Sequence, residues 1–591
     1  MDFFYNFINY FSSSNKCVID KDPLDIEDII AKPNQIDINQ DLIDEFVKHY
    51  SEINSKDDLD KFKKYIQKTY KHTLTSVELI KIYNHLNLDN LNLKKIITKK
   101  KCKSDSGVLV ITLLTSAHPE YIDNEGNKRI ARFSCKHDCA YCPNEPAHEG
   151  NNFTPQPRSY LYSEPAVMRA NDNGFDPIRQ MNSRINTLMV MGHTIDKLEV
   201  IVLGGTWSEY PASYREDFIT KIYYSANVFF DPIPKRPIKS LEEEININEN
   251  TRVHIIGLTL ETRPDTITLD EINNFRRYNC TRIQLGVQHT HNDILYKINR
   301  GHTIEDAYKA IKMLKNNCYK VDIHIMPNLP GSSYEKDKDM LDAVLYDERI
   351  QVDQYKIYPT AIVPFTKIQK WYEEGSYIPY DDKLLYELIK EFKKKVQKYK
   401  RLNRIIRDIP SHYIEAGYSK YYVNMRQLLQ NDMRKNNWCC KCIRCREIKG
   451  NYLDGENIML NVEKYRASDA DEYHISIDSK CHNDYLIGFL RLRINRNTSD
   501  ILPILKECAL IRELHIYSNL NDVGNNLKNS MQHKGYGKQL ILKAEEIAKN
   551  EGFNKIAIIS GTGVRNYYRK LNYELQDTYM IKTLYTLEDL K

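Results

Sequence analysis

Val108-Leu-Val-Ile-Thr-Leu-Leu114 is a continuous apolar run, and the loop after it carries Cys135-Lys-His-Asp-Cys139-Ala-Tyr-Cys142. A short run of this kind predicts a strand buried on both faces, as in a parallel sheet. Similar strands are predicted at Val200–Leu203, His254–Leu260, Arg282–Val287, Val321–Ile325 and Gln354–Tyr358, with another over Arg404–Ile406. Between them, Ser213–Ala226, Thr303–Asn316 and Tyr334–Tyr346 have helical spacing. The alternation predicts an α/β unit, a parallel β/α barrel or open sheet, with functional residues at the C-terminal strand ends.

The surrounding chain is 591 residues long, roughly four domains at about 150 residues each. Its 41% hydrophobic and 28% charged residues, with a mean hydropathy of −0.59, exclude membrane-embedded, collagen-like and wholly disordered classes. Met1-Asp-Phe-Phe-Tyr5 has no basic region and no small-residue cleavage site, and no apolar run reaches about 18 residues. The expectation is a cytoplasmic protein with no membrane partner. In a reducing compartment, clustered cysteines point to metal before disulfides.

Net charge is +5, but its distribution is uneven. Residues 1–60 hold 14 Asp/Glu and 5 Lys; residues 61–103 hold 12 Lys against Glu78 and Asp89. A basic block beside an acidic one suggests a polyanion-binding surface; a solvated lysine-rich helix face is the plainer reading. The abundance of Asn, Ile, Lys and Tyr also fits an AT-rich genome, which weakens the lysine signal.

Cys135, Cys139 and Cys142 have the spacing CxxxCxxC. Three thiolates can hold three irons of a four-iron cluster and leave the fourth open. The pattern resembles that of radical S-adenosylmethionine (SAM) enzymes, in which the open iron takes the methionine amino and carboxylate groups. Tyr141 before the last cysteine suits that motif. The competing reading is a zinc site short of one ligand, with His137 as supplement. Spacing and strand context favour the cluster. Gly204-Gly205, ending the strand at Val200, resembles the methionine-binding edge of those enzymes, where backbone must approach a ligand closely.

From about residue 456 a second α/β unit appears. Its predicted strands are Leu486–Ile494, Ala509–Tyr517 and Lys555–Ser560, with a helix over Gly537–Asn550. Gln532-His533-Lys534-Gly535-Tyr536-Gly537 opens that helix. It resembles the [RQ]xxGx[GA] loop of Gcn5-related N-acetyltransferases (GNATs), whose backbone amides cradle the pyrophosphate of acetyl-CoA. Asn566-Tyr-Tyr-Arg-Lys-Leu-Asn-Tyr573 resembles the closing element of that family, in which a tyrosine meets the CoA sulfur. Tyr567 and Tyr568 both fit. Asn572 stands where glycine is usual, and Asn tolerates positive φ.

The pairing of these two units resembles the catalytic third subunit of Elongator and its archaeal and bacterial relatives. The local strings agree: Glu261-Thr-Arg-Pro-Asp265, Leu285-Gly-Val-Gln288, Asn299-Arg-Gly-His302, Met326-Pro-Asn-Leu-Pro330, Lys356-Ile-Tyr-Pro359, Arg407-Asp-Ile-Pro410 and Arg512-Glu-Leu-His515. The resemblance runs from about residue 70 to 588. It departs at Cys142-Pro-Asn-Glu145, where Cys-Pro-Gly-Gly is usual, and at the insertion Glu120–Arg132.

That resemblance implies carboxymethylation of the tRNA wobble uridine at C5. A reduced 4Fe-4S cluster cleaves SAM to a 5′-deoxyadenosyl radical, which takes hydrogen from the acetyl methyl of acetyl-CoA. The carbon radical adds to uridine, and the thioester is hydrolysed. It further implies that Gly204, Gly205, Glu261 and Gln288 contact SAM and that Lys356 touches the radical intermediate or an acetyl oxygen. Gln532, His533, Lys534, Gly535, Tyr536 and Gly537 border acetyl-CoA. Glu513 orients water, or is merely paired with Arg512 or Arg491. Lys94, Lys95, Lys99, Lys100, Lys101 and Lys103 hold the anticodon stem-loop of tRNA by its phosphates. An external reductant and Elongator-like accessory subunits are the remaining implied partners.

Trp438-Cys-Cys-Lys-Cys-Ile-Arg-Cys-Arg-Glu447 places Cys440, Cys442 and Cys445 at zinc-like spacing, in the region where that family keeps a zinc-binding linker. The fourth ligand stays open: Cys439 is adjacent to Cys440, and Cys481 is distant. The expected order is a variable extension (1–40), a basic helical tRNA-binding region (41–103), a partial radical SAM barrel (104–395), a cysteine-bearing linker (396–455) and a GNAT-type α/β domain (456–591). Two other classes compete: a protein or histone lysine N-acetyltransferase with a degenerate barrel, and a non-catalytic tRNA-binding scaffold. Both predict loss of one cofactor motif, and both motifs are intact.

Neutralising the lysines within 94–103 is expected to weaken tRNA binding and flatten its dependence on salt, as read by binding titrations from low to high ionic strength.

Overall fold

The computed structural model describes residues 40–72, 74–98, 107–133, 135–448, 458–479, 484–497, 499–517 and 535–584. Gln532, His533, Lys534, Cys481, Lys99, Lys100, Lys101 and Lys103 lie outside them.

Four helices over Gln40–His49, Lys56–Tyr70, Ser76–His85 and Leu91–Thr98 form the N-terminal region. They close on their own core, with Phe46, Phe62, Ile66 and Leu79 buried. Lys94 is exposed, and Lys95 lies on the same helix.

The central sheet has seven parallel strands in chain order: β1 (Leu109–Leu114), β2 (Lys197–Leu203), β3 (His254–Thr262), β4 (Arg282–Gln288), β5 (Lys320–Ile325), β6 (Gln354–Ile357) and β7 (Arg401–Arg404). The seventh strand lies beyond residue 395, where the sequence reading ends the barrel. Helices such as Ala212–Val228, Ile304–Asn316 and Tyr334–Tyr346 connect the strands and cover the outer face.

The expectation of strands buried on both faces holds on β4, which is buried along its whole length, but only one of the two faces is apolar. On β4 and β5 the outward side chains Ile283, Leu285, Val287, Val321, Ile323 and Ile325 are core. The alternate positions Arg282, Gln284, Gln288, Lys320 and His324 point inward onto a cavity. The period-two pleat therefore gives the sheet an apolar back and a polar hollow. Even in β1, Val110 is 47% exposed. The insertion Glu120–Arg132 folds as an antiparallel hairpin, Glu120–Ile122 against Lys128–Ile130.

A second seven-stranded sheet contains β8 (Ile458–Ala467), β9 (Ala470–Ser479), β10 (Leu486–Ile494), β11 (Cys508–Ile516), β12 (Lys555–Ile558), β13 (Glu574–Gln576) and β14 (Tyr579–Thr583), in the order β8-β9-β10-β11-β12-β14-β13. Only β11 and β12 run parallel. Their pairing ends at Ile511 and Ile558, so the rest of β11 is free on that side and the sheet splays. A bulge in β11 at Arg512 shifts its register with β10. Strands β8 and β9 are absent from the sequence reading because charged residues interrupt their apolar pattern.

The two sheets are joined by buried charge. Arg512 of β11 donates from both terminal nitrogens to Asp353 at 2.7 Å, and to Glu472 of β9 at 2.5 Å. Glu472 also takes Arg493 at 3.0 Å and Lys315 at 3.2 Å. Arg512, Arg493, Lys315, Glu472 and Asp353 are all fully buried. Arginine forks hold Asp353 well below the usual carboxylate range despite its burial. Beside this cluster the turn after β12 lies on β3. A Cβ on Gly561 would come within 2.1 Å of the Ile256 carbonyl oxygen, so only glycine permits that approach.

Asp353→Asn strands the Arg512 charge in the interior. It is expected to cost about 3–5 kcal/mol in denaturant unfolding, whereas the apolar double replacement Asp353→Leu/Arg512→Met is expected to cost less.

Candidate active site

A single cavity of about 940 Å³ occupies the hollow of the central sheet. Its upper rim, at the C-terminal strand ends, holds Cys135, Cys139 and Cys142; its floor holds Glu513 and His515 from β11 and Tyr517 just after it.

The cysteine loop is fixed by its neighbours. The Ala140 amide donates to the Ile298 carbonyl at 2.9 Å. Cys135 Sγ lies 3.4 Å from Thr206 Oγ1. Cys139 is buried under two guanidiniums, with Arg300 Nη1 at 3.5 Å and Arg263 Nη1 at 3.9 Å from its Sγ. Arg263 is anchored by Asp265 at 2.9 Å, and Arg300 donates to His302 Nε2 at 3.0 Å. Burial pushes the Cys142 thiol up to about 12. These donors fit a cluster rather than one ion. Around a tetrahedral zinc, sulfurs about 2.3 Å from the metal stand about 4 Å apart. Among the described residues the thiol set drawn within 4.8 Å is Cys440, Cys442 and Cys445.

Gly204 and Gly205 have φ of 131° and 112°. A Cβ on Gly204 would fall 2.0 Å from Thr115 Oγ1, and one on Gly205 would fall 2.9 Å from the Phe133 ring. Gly205 lines the cavity, as do Glu261, Gln288 and Lys356. Gln288 ends β4 with φ of 74°. Glu261 lies 3.4 Å from both Tyr160 Oη and His324 Nδ1, and burial raises its pKa. Lys356 Nζ donates to Gln284 Oε1 at 2.5 Å, and burial lowers its pKa.

The second motif starts with Gly535 in the left-handed region (φ 78°), capping the helix Tyr536–Asn550. A Cβ on Gly537 would lie 2.6 Å from Tyr567 Oη and 3.9 Å from Ile516 Cγ1. Tyr567 is 40% exposed over this loop, whereas Tyr568 is buried in the core with Tyr573. Of the two tyrosines, Tyr567 is the one brought to the helix start. Glu513 accepts from Arg491 Nε at 2.9 Å, the ion-pair alternative. Against the upward push of burial, Lys320 at 3.9 Å and the Arg491 charge hold its pKa down.

Cys440, Cys442 and Cys445 converge beside Lys393, whose Nζ lies 3.2 Å from Cys445 Sγ. Cys439 is exposed. Sequence reasoning missed Arg263, Arg300, Lys320 and His515. Arg263, Arg300 and His515 sit inside strings that were recognised, and Lys320 shares the inward phase of Asp322 and His324.

The radical SAM superfamily model matches residues 133–344, its C-terminal domain model 352–435, and the GNAT acetyltransferase family model 444–573. The fold and site thus define a radical SAM half-barrel fused to a GNAT domain. A tRNA uridine(34) acetyltransferase of Methanocaldococcus jannaschii is 38% identical, over 83% of this chain and 87% of its own. That of Dehalococcoides mccartyi is 35% identical, over 82% and 100%. Elongator complex protein 3 of Drosophila melanogaster is 32% identical, over 82% and 85%. The solved Methanocaldococcus infernus Elp3, with an N-terminal deletion, superposes with a TM-score of 0.65 at 34% identity, covering 81% of this chain and all of that one. The chain belongs to the family of Elongator complex protein 3 and the tRNA uridine(34) acetyltransferases.

Arg300→Met is expected to lower the reduction potential of a cluster bound at Cys139, because a cation beside a thiolate ligand favours the reduced state. A spectroscopic redox titration of the reconstituted protein reads the shift.

Proposed function

We propose that this protein modifies the wobble uridine of tRNA at C5, converting it to 5-carboxymethyluridine with acetyl-CoA and SAM. The observation that carries the reading is the single cavity running from the three cysteines to β11. Radical chemistry suits the reaction, because uridine C5 is too weak a nucleophile for ordinary acyl transfer. The curated relatives are named for a tRNA uridine(34) activity, which supports the same substrate.

Cys135, Cys139 and Cys142 would hold the 4Fe-4S cluster, which when bound and reduced supplies the electron for cleaving SAM. Arg263 and Arg300 offset thiolate charge at Cys139. Gly205, Glu261 and Gln288 line the wall where SAM would lie, and Lys356 lines the same cavity, hydrogen-bonded to Gln284. Gly535 and Gly537 open the helix that would receive the CoA pyrophosphate, with Tyr567 covering it. Arg404, Arg407, Arg426 and Arg444 also line the cavity, cations suited to RNA phosphate. A target base would have to leave its stack to enter. Cys440, Cys442 and Cys445 would bind zinc as a structural staple. An external reductant is required; accessory subunits and cytoplasmic residence are expected by family likeness. No helix among the described residues is long and apolar enough to cross a membrane.

Anaerobically reconstituted protein with tRNA, acetyl-CoA, SAM and reductant is expected to yield 5-carboxymethyluridine by mass spectrometry of digested tRNA. Cys139→Ala is expected to abolish the product and leave tRNA binding intact. Absence of product with a verified cluster would overturn the reading, and acetyl-lysine formation without cluster or SAM would replace it.

A further inference from the structure

The cavity floor contains an ammonium that nothing in the mechanism above uses. Lys320 begins β5 and points inward between β4 and β11. Its Nζ is 3.9 Å from Glu513 Oε1, and no side-chain hydrogen bond is seen for it among the described residues. Glu513 is already engaged by Arg491 at 2.9 Å. The other floor cations have closer partners: Arg282 is paired with Glu199, and Arg401 with Glu447 and Tyr517. Next to Lys320 stands His515, whose Nε2 is buried without a hydrogen-bond partner and whose ring burial keeps neutral, with a pKa near 4. An ammonium whose nearest carboxylate is 3.9 Å away and already bound to Arg491, beside an imidazole nitrogen with no hydrogen-bond partner, is a site prepared for a ligand that accepts a hydrogen bond and releases a proton.

The position says what that ligand is. The helix start at Gly535–Gly537 abuts Ile516, at the end of β11. Three residues back along an extended strand is about 10 Å, within the span of a pantetheine arm. An acyl-CoA anchored at that helix start therefore brings its thioester to the level of Glu513 and His515, above Lys320.

We infer that Lys320 and His515 form the thioester-hydrolysing centre of this enzyme, an inference that rests on the proposed use of acetyl-CoA. Lys320 donates to the acyl oxygen and stabilises the charge that develops there. Water adds to the acyl carbon and its proton passes to His515. The carbon–sulfur bond breaks, CoA leaves as thiolate, and the imidazolium returns the proton to it; the carboxylic acid left behind gives its own proton to solvent and becomes a carboxylate. No electrons are exchanged, so no oxidant or reductant is involved. The groups facing Lys320 are Glu513 and His515 on β11, Arg491 on β10, Arg282 on β4 and Asp353 before β6. Burial lowers the Lys320 pKa to about 8, so its ammonium is lost as pH rises through that value.

The test is CoA thiol release from acetyl-CoA by the cluster-loaded protein with tRNA but without reductant, so that no radical forms. Lys320→Met is expected to slow release about 100-fold, the usual effect of removing an oxyanion donor. Lys320→Arg restores much of it. Replacing a buried cation by an apolar residue is often tolerated, and Glu513 keeps Arg491. Release by the unsubstituted protein falls above about pH 8, and that of Lys320→Arg does not; this profile needs no Met variant to fold. With reductant, Lys320→Met accumulates a tRNA-linked CoA thioester while 5′-deoxyadenosine forms normally. Unchanged thiol release in Lys320→Met, a profile flat through pH 8, or no release by the unsubstituted protein overturns the inference. Release that depends on Lys320 without any carboxymethyluridine supports the inference and removes only the radical part of the proposed function.

Discussion

The bidentate pair of Arg512 with Asp353 is the constraint on which this architecture depends. Each charge alone would be intolerable at that depth; together, and shared with Glu472, they are paired through both terminal nitrogens of the arginine. The pair sets β11 against the N-terminal ends of β5 and β6. It thereby closes the bottom of an otherwise open half-barrel with the strand that should carry the acetyl donor. The bulge in β11 at Arg512 lets that arginine face the barrel while Glu513 and His515 turn toward the cavity.

Charge also organises the hollow. Arg263 and Arg300 stand at the cysteines, Lys356 in the middle, and Arg282, Lys320 and Arg401 at the floor. Fewer acids answer them, so the cavity favours anionic occupants throughout its length. Each proposed occupant carries negative charge or develops it during reaction: thiolates, a carboxylate, phosphates and a thioester oxyanion. The two metal-type cysteine sets differ in the same currency. At Cys139 the compensating charge is two arginines; at Cys445 it is one lysine.

Much of the arrangement was legible in the sequence because it is written in local patterns. CxxxCxxC after an apolar run and GxG before a helix are short, and backbone geometry demands them. The parallel sheet was legible from its outward apolar residues. Its polar inner face was not, because Arg282 and Gln354 merely open their predicted strands, Lys320 falls just outside one, and Asp322 passes as an interruption when only hydrophobic runs are counted. Which of Tyr567 and Tyr568 stands at the helix start and which enters the core was not legible either, because neighbouring identical residues do not reveal burial. The role of Arg512 was hidden too, since its partners Asp353 and Glu472 are distant in sequence and nothing local marks their convergence.

Gly561 carries one more implication. Its bare backbone rests on that of Ile256, which is a contact between two main chains with no side chain to be exchanged or repacked. Such a joint cannot drift gradually through compensating substitutions as an ordinary side-chain interface can. The barrel and the acetyltransferase sheet are therefore poor candidates for recombination with domains from elsewhere. A gene encoding either half alone would specify a vessel without a base, or a base without a vessel.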